Sequence, residues 1–410
     1  MFTTLFKGRP LTVYATLLII LMGVCWLPLE GRGGLGVVKI GCMVSGLLVL
    51  FFGAFSITKA FIIGTFYLTW QYFVASLHPE TFRSSTLLFS VGLVYTYVCF
   101  YNLLYVKKVF TVYHFLLLVK FIIFAFFIVC IIQQCFIIAG ITYMPAVNLI
   151  QVLNRGLGCN SLSMEPSTFA RTMLVFYYAY VKCNEYIRNE GPYTVKELFQ
   201  GEHKRITLCF LWMMCTMGSG TAFVCLIAFA LYFVRKNNWY YIIPAFLILY
   251  FYVLPMFNAE QLDRATSVIN ATTTFDQQTV EDADGSAASR ISPFINSFNV
   301  DLSDSDTWFG HGIDYARNHN MIIRQTATLF DDYGLLFYII AMIFNFTCAY
   351  RLKSLGALFL IMGLAGGAGT NIHYNWWLMM VMTCIRYFYE TREEYLTDEA
   401  LLCNVDEASC

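Results

Sequence analysis

The chain has 410 residues, 58% of them hydrophobic and only 13% charged, with mean hydropathy +0.61 and zero net charge. Soluble domains carry about 25% charged residues, so a soluble globular fold is excluded, and the charge balance gives no electrostatic footing for nucleic acid. The apolar runs are continuous rather than alternating, which excludes a barrel and leaves an all-α polytopic membrane protein, built as a single integral domain over 1–410.

In chain order the runs predict twelve transmembrane helices, over 11–28, 35–58, 60–77, 86–106, 112–138, 166–186, 206–217, 221–234, 238–257, 334–350, 354–367 and 371–389. Lys7 and Arg9 precede the first run and no small-residue cleavage site follows it, so it reads as a helix rather than a removed leader. Two long linkers separate the runs, 139–165 and 258–333, and a short charged one, 187–205, is expected to form an interfacial helix. Residues 206–234 read either as one helix or as two. The glycines and hydroxyls of "TMGSGT", Thr216 to Thr221, favour two. Each half is too short to cross about 30 Å of hydrocarbon at ~1.5 Å per residue, so protein or a water-filled cavity must surround it.

Lysine and arginine set the orientation. Lys7, Arg9, Lys59, Lys107, Lys108, Lys196, Lys204, Arg205, Arg235, Lys236, Arg351 and Lys353 fall on one side if the helices alternate, while Arg32, Lys39 and Arg83 go against the rule. Both termini and 187–205 are then cytoplasmic, as is the 390–410 tail, and the two long linkers are external. Most of the 14 cysteines, such as Cys25, Cys42, Cys99, Cys130, Cys209, Cys215, Cys225 and Cys348, sit inside apolar runs as small hydrophobes. No CxxC pair appears, so neither a disulfide framework nor a metal site is expected. Trp376 and Trp377 suit an interfacial aromatic belt.

The 258–333 linker holds twelve acids, four arginines (Arg264, Arg290, Arg317 and Arg324) and no lysine. Its apolar residues Ile291, Phe294, Phe298, Trp308, Phe309, Ile322 and Ile323 predict that it folds, with a short helix over 320–331 leading into the next span. Guanidinium groups grip a diphosphate through a fixed fork, and they also neutralise neighbouring acids; composition leaves both roles open. His311 and His319 likewise read as bases or as hydrogen-bonded structural groups.

The stretch "FGHGIDYARNHNMIIRQTATLFDDYGLLFYIIAMIF" resembles the closing part of the large external loop in O-antigen polymerases and the related O-antigen ligases, GT-C-like membrane glycosyltransferases. The resembling features are Gly310 and Gly312, then His319 and Asn320, a short amphipathic helix, and Gly334 opening the next span. "GSAASRISPF" resembles the family's serine/glycine stretch and gives Arg290. "MEPSTFARTMLVF" resembles an earlier helix entry and gives Glu165 and Arg171. "MGSGTAFVCLIAFAL" resembles the family's helix break, with a departure: Ser219-Gly220 stands where many members carry Ser-Arg. A cationic donor contact there is then absent or comes from Arg264, Arg317 or Arg324. The resemblance covers roughly residues 160 to 390.

The resemblance implies polymerisation of undecaprenyl-diphosphate-linked oligosaccharide repeat units by glycosyl transfer, at the periplasmic face of a bacterial inner membrane. Donor and acceptor are both lipid-linked, a chain-length regulator is admitted as a further partner, and neither a metal nor another cofactor is required. His319 is the implied general base, Arg290 and then Arg171 hold the diphosphate, and Glu165 either positions the acceptor or serves as a helix N-terminal carboxylate before Pro166. "WFGHGIDYARNHN", Trp308 to Asn320, is expected as a catalytic lip, turned at its glycines and anchored by Trp308 and Phe309 against the membrane interface. Two rivals stay open: a ligase that moves finished glycan to a lipid core, and a precursor transporter or flippase. Against the transporter, no internal repeat is visible and most charges lie at helix ends, Lys120 and the Gln133–Gln134 pair excepted.

Overall fold

A computed structural model describes residues 16–17, 37–141, 143–144, 148–149, 157–163, 165–217, 219–233, 301–313, 315, 325–351 and 373–392. The expected spans 238–257 and 354–367, all but two residues of 11–28, most of the 258–333 loop and the tail from 393 lie outside these residues.

The described chain is helical. Its helices are α1 (Val37–Phe52), α2 (Lys59–Leu77), α3 (Ser84–Tyr105), α4 (Val112–Ile138), α5 (Pro166–Arg188), α6 (Val195–Leu198), α7 (Gly201–Thr216), α8 (Gly220–Ala230), α9 (Ser305–Phe309), α10 (Gln325–Cys348) and α11 (His373–Glu390). Two-residue strands, β1 (Tyr143–Met144) and β2 (Asn148–Leu149), form an antiparallel pair within the 139–165 linker. Boundaries follow local chemistry. The hydroxyls of Thr58 and Thr111 accept from backbone N–H groups in the first turns of α2 and α4. Pro166 starts α5, and Asn189 ends it in the left-handed region at φ 54°.

Helices α2, α3 and α4 are long and apolar enough to cross a membrane. Large apolar side chains stand exposed on them, among them Ile62, Phe66, Leu88, Phe121, Ile128 and Ile132. Such a surface suits lipid rather than water. This is a membrane protein.

Two helix groups make up the body. Helix α3 touches α1 and α2, and α10 packs on α2; α5 is the hub of the second group and touches α4, α7 and α8. Helix α11 joins them by packing on both α3 and α5. Tyr97 of α3 and Thr383 of α11 share a fully buried hydroxyl–hydroxyl hydrogen bond of 2.7 Å. The position of α11 also overturns the expectation for its tryptophans. Trp376 lies against Tyr67, Tyr97 and Phe344, and Trp377 against Phe176, so both are buried in protein instead of forming an interfacial belt.

The break at Thr216–Thr221 is real, and the chain reverses there. Phe210 of α7 and Phe229 of α8 have ring centroids 5.8 Å apart, and Tyr177 of α5 packs on both. Along one straight helix those rings would be about 28 Å apart. Gln134 of α4 holds the reversal: its amide donates to the Thr216 hydroxyl at 2.7 Å, and its carbonyl accepts from the Trp212 indole at 3.1 Å. The charged 187–205 segment differs from the single interfacial helix expected. It contains the one-turn α6, closed by a Thr194–Glu197 capping box, and the first turn of α7.

Most of the described basic side chains gather at one end of this body, Arg83 and Arg171 excepted. Lys59 lies over the rings of Tyr101 and Tyr105, and Tyr105 donates to Glu390. Arg386 pairs with Glu390 at 2.8 Å and donates to carbonyls at the end of α10 and just beyond it, at Phe346, Thr347 and Tyr350. Arg351 stacks on Tyr389, which touches Tyr186 at the end of α5. Arg188 pairs with Glu190 and Glu197 and lies over Tyr193. Lys120 pairs with Glu202 at 2.9 Å. The buried Glu185 accepts from Lys182 and from the Tyr232 hydroxyl, which itself accepts from the Tyr193 N–H. Tyr232 follows α8, so α8 returns the chain to the basic end.

Candidate functional site

At the opposite end, residues 301–313 form a compact lip seated on α2 and α10. Asp301 accepts from the amide and hydroxyl of Ser303, which hold its carboxyl below the usual carboxylate range, and Asp304 caps α9 by accepting from the Asp306 N–H. The Trp308 indole donates to the Leu302 carbonyl at 2.9 Å, so this tryptophan braces the lip internally. Phe309 does the anchoring, stacked on Trp70 of α2 with centroids 6.2 Å apart.

The glycines account for the close seat. Gly310 and Gly334 have φ of 74° and 79° with ψ near 180°, a region open essentially to glycine alone. Their backbones meet: a Cβ on either would come within 2.6 Å of the other's nitrogen. Gly310 would also meet the Asp332 carbonyl, and Gly334 the Trp308 carbonyl. The Gly312 N–H donates to the Asp332 carbonyl at 3.0 Å, and a Cβ on Gly312 would run into His78 and Thr81 in the turn after α2. Gly334 thereby divides α10 into a segment from Gln325 and an apolar helix to Cys348, matching the amphipathic-helix-then-glycine order seen in the sequence. Below the seat, the buried Gln71 amide donates to Ser90 at 3.1 Å and to the Tyr333 hydroxyl at 3.0 Å. This trio is not among the expected site residues, although a lone glutamine inside the apolar run "YLTWQYF" is its visible signal.

His311 stacks on Tyr315 with centroids 4.2 Å apart and stands 3.7 Å from the Asp306 carboxylate. Glu165 immediately precedes α5 and Arg171 lies in its second turn, also away from the basic end. Ser167 links them: its hydroxyl donates to the Glu165 carboxylate at 3.1 Å, and its carbonyl accepts from Arg171 Nε at 3.3 Å. Glu165 occupies the N-cap position of α5 without making a side-chain cap hydrogen bond. Its carboxylate is exposed beside the Arg171 turn, with Pro166 at N1. The lip and the α5 entrance belong to different helix groups, connected through α11. His319, Arg264, Arg290, Arg317 and Arg324 lie outside the described residues. Compared with known proteins, the chain matches no family model, no curated protein and no solved structure.

Proposed function

We propose that this protein polymerises polyprenyl-diphosphate-linked oligosaccharide repeat units into a surface polysaccharide such as O-antigen, working as a twelve-span glycosyltransferase of a bacterial inner membrane. The basic end faces the cytoplasm, as the positive-inside rule requires, and the lip and α5 entrance face the periplasm. The observation that carries this reading is the seat of Gly310 on Gly334. These two glycines, 24 residues apart in the resembling stretch, meet backbone to backbone at the end opposite the basic one. A loop fixed so closely is a suitable carrier for a catalytic group a few residues further on.

In the proposed reaction a sugar hydroxyl of the acceptor repeat attacks the anomeric carbon of the donor. The new C–O bond forms as the bond from that carbon to the diphosphate oxygen breaks, and the hydroxyl proton passes to His319. The departing polyprenyl diphosphate carries the negative charge that Arg290 and Arg171 stabilise, with Arg264, Arg317 and Arg324 as further donors. Glu165 orients the acceptor. A readout in cells separates this reading from its rivals: the length distribution of surface glycan with and without the gene. Loss of a polymerase leaves single repeats on the core. Bare core with long lipid-linked chains would indicate a ligase, and precursor left undisplayed would indicate a flippase; either outcome would overturn the polymerase reading.

A further inference from the structure

We propose that Cys130 and Cys159 are joined by a disulfide that staples the chain entering α5 to the last third of α4. Their sulfurs are 3.4 Å apart and both residues are fully buried. A disulfide holds its sulfurs at ~2.05 Å, so the two must approach by about 1.3 Å for the bond to form.

The register of the pair is fixed by its neighbours. The buried Gln133 side chain clasps the backbone of Ser161 on both sides: its carbonyl accepts from the Ser161 N–H at 2.7 Å, and its amide donates to the Ser161 carbonyl at 3.0 Å. The Ser161 hydroxyl donates to the Phe126 carbonyl at 2.7 Å, and the Asn160 amide closes the turn onto Ser163 at 2.7 Å. Three hydrogen bonds thus hold residue 161 to α4 on either side of the Cys130 level, and Cys159 has little freedom to move away. Four residues after this clasp comes Glu165, and α5 begins at Pro166. The bond therefore fixes where the α5 entrance sits.

The chemistry is a thiol–disulfide exchange with an oxidoreductase disulfide. One cysteine thiolate attacks that disulfide and displaces one of its sulfurs as a thiol. The second cysteine then attacks the mixed disulfide and releases the oxidoreductase as a dithiol, so the protein loses two electrons and two protons and the oxidant gains them. Burial of both sulfurs requires the exchange to occur before the clasp closes. The proposal rests on the reading that this end faces an oxidising compartment.

The test uses the full-length protein in its own membrane. Cells are acid-quenched, free thiols are alkylated, and peptides are mapped without reduction. In parallel, Ser303→Cys on the lip is probed with a membrane-impermeant maleimide. The expected result is a cross-linked Cys130–Cys159 peptide, absent from Cys130→Ser and Cys159→Ser, with Ser303→Cys labelled from outside. The map of the unsubstituted protein decides the matter even if the serine variants fail to fold. Alkylated, unlinked cysteines together with outside labelling would overturn the disulfide and leave the sidedness standing. Unlinked cysteines with labelling only from inside would overturn both.

Discussion

The two ends of the helical body are held by different means. At the basic end, side chain meets side chain: Lys182 with Glu185, Arg188 with Glu197, Arg386 with Glu390, and cations over tyrosine rings. At the other end, the backbone itself is held: Gly310 on Gly334 and the Gly312 N–H on the Asp332 carbonyl join backbone to backbone, and the Gln133 side chain grips the Ser161 peptide. Side-chain pairs anchor helix ends while leaving the chain some play. Backbone contacts through glycine set a loop at one height and one angle.

That contrast breaks most severely at Glu185. Glu185→Ala leaves Lys182 without its carboxylate at a largely buried position and removes the acceptor of Tyr232, which should cost about 3–5 kcal/mol. Thermal denaturation in detergent should show a clear drop in midpoint, with the lip's protease resistance retained below the transition. An unchanged midpoint would mean that the basic end is not held this way. The complementary change is Gly334→Ala. Holding alanine at that φ and ψ costs about 1–3 kcal/mol, and the added methyl collides with Trp308 and Gly310. Residues 301–313 should lose hydrogen-exchange protection while α5 and α7 keep theirs; equal protection in both proteins would refute the seat.

The smallest effect is set by pH and belongs to the basic end. Burial lowers the His203 pKa below its usual ~6.5, and the ring hydrogen-bonds with the Tyr180 hydroxyl at 2.7 Å. The unfolded chain then binds a proton more readily than the folded one. This contribution to stability is complete above about pH 6.5 and is lost as pH falls through the lowered folded pKa. His203→Gln should flatten the stability profile in that range. A variant as acid-sensitive as the parent would assign the effect elsewhere.

Much of the helical frame is legible in the sequence because apolar runs and hydroxyl or proline caps mark it directly. The starts at Lys59, Val112 and Pro166 and the ends at Leu77, Tyr105 and Ile138 fall within two residues of the expected boundaries. The reversal at Thr216–Thr221 was legible from its glycines and hydroxyls. The buried turn at 157–163 was not. Asparagine and serine read as loop residues, and α4, far away in sequence, supplies through Gln133 and the Phe126 carbonyl the partners that let Ser161 be buried. Trp376 and Trp377 misled for a related reason: a tryptophan beside a polar stretch has the same local pattern at a lipid boundary as between two packed helices. Of the site, the glycine seat and the α5 entrance were visible as motifs, whereas the Gln71–Ser90–Tyr333 support depends on contacts between distant segments.

Under the proposed function, His319 is the general base for glycan polymerisation. The most direct measurement is chain growth by purified His319→Ala on lipid-linked repeat units, compared with the parent at equal thermal stability. If His319 is that base, polymerisation falls by about 10²–10⁴-fold, the usual range for losing such a group, with the fold intact. Near-normal chain growth by His319→Ala would contradict it and leave the histidine a structural role alone.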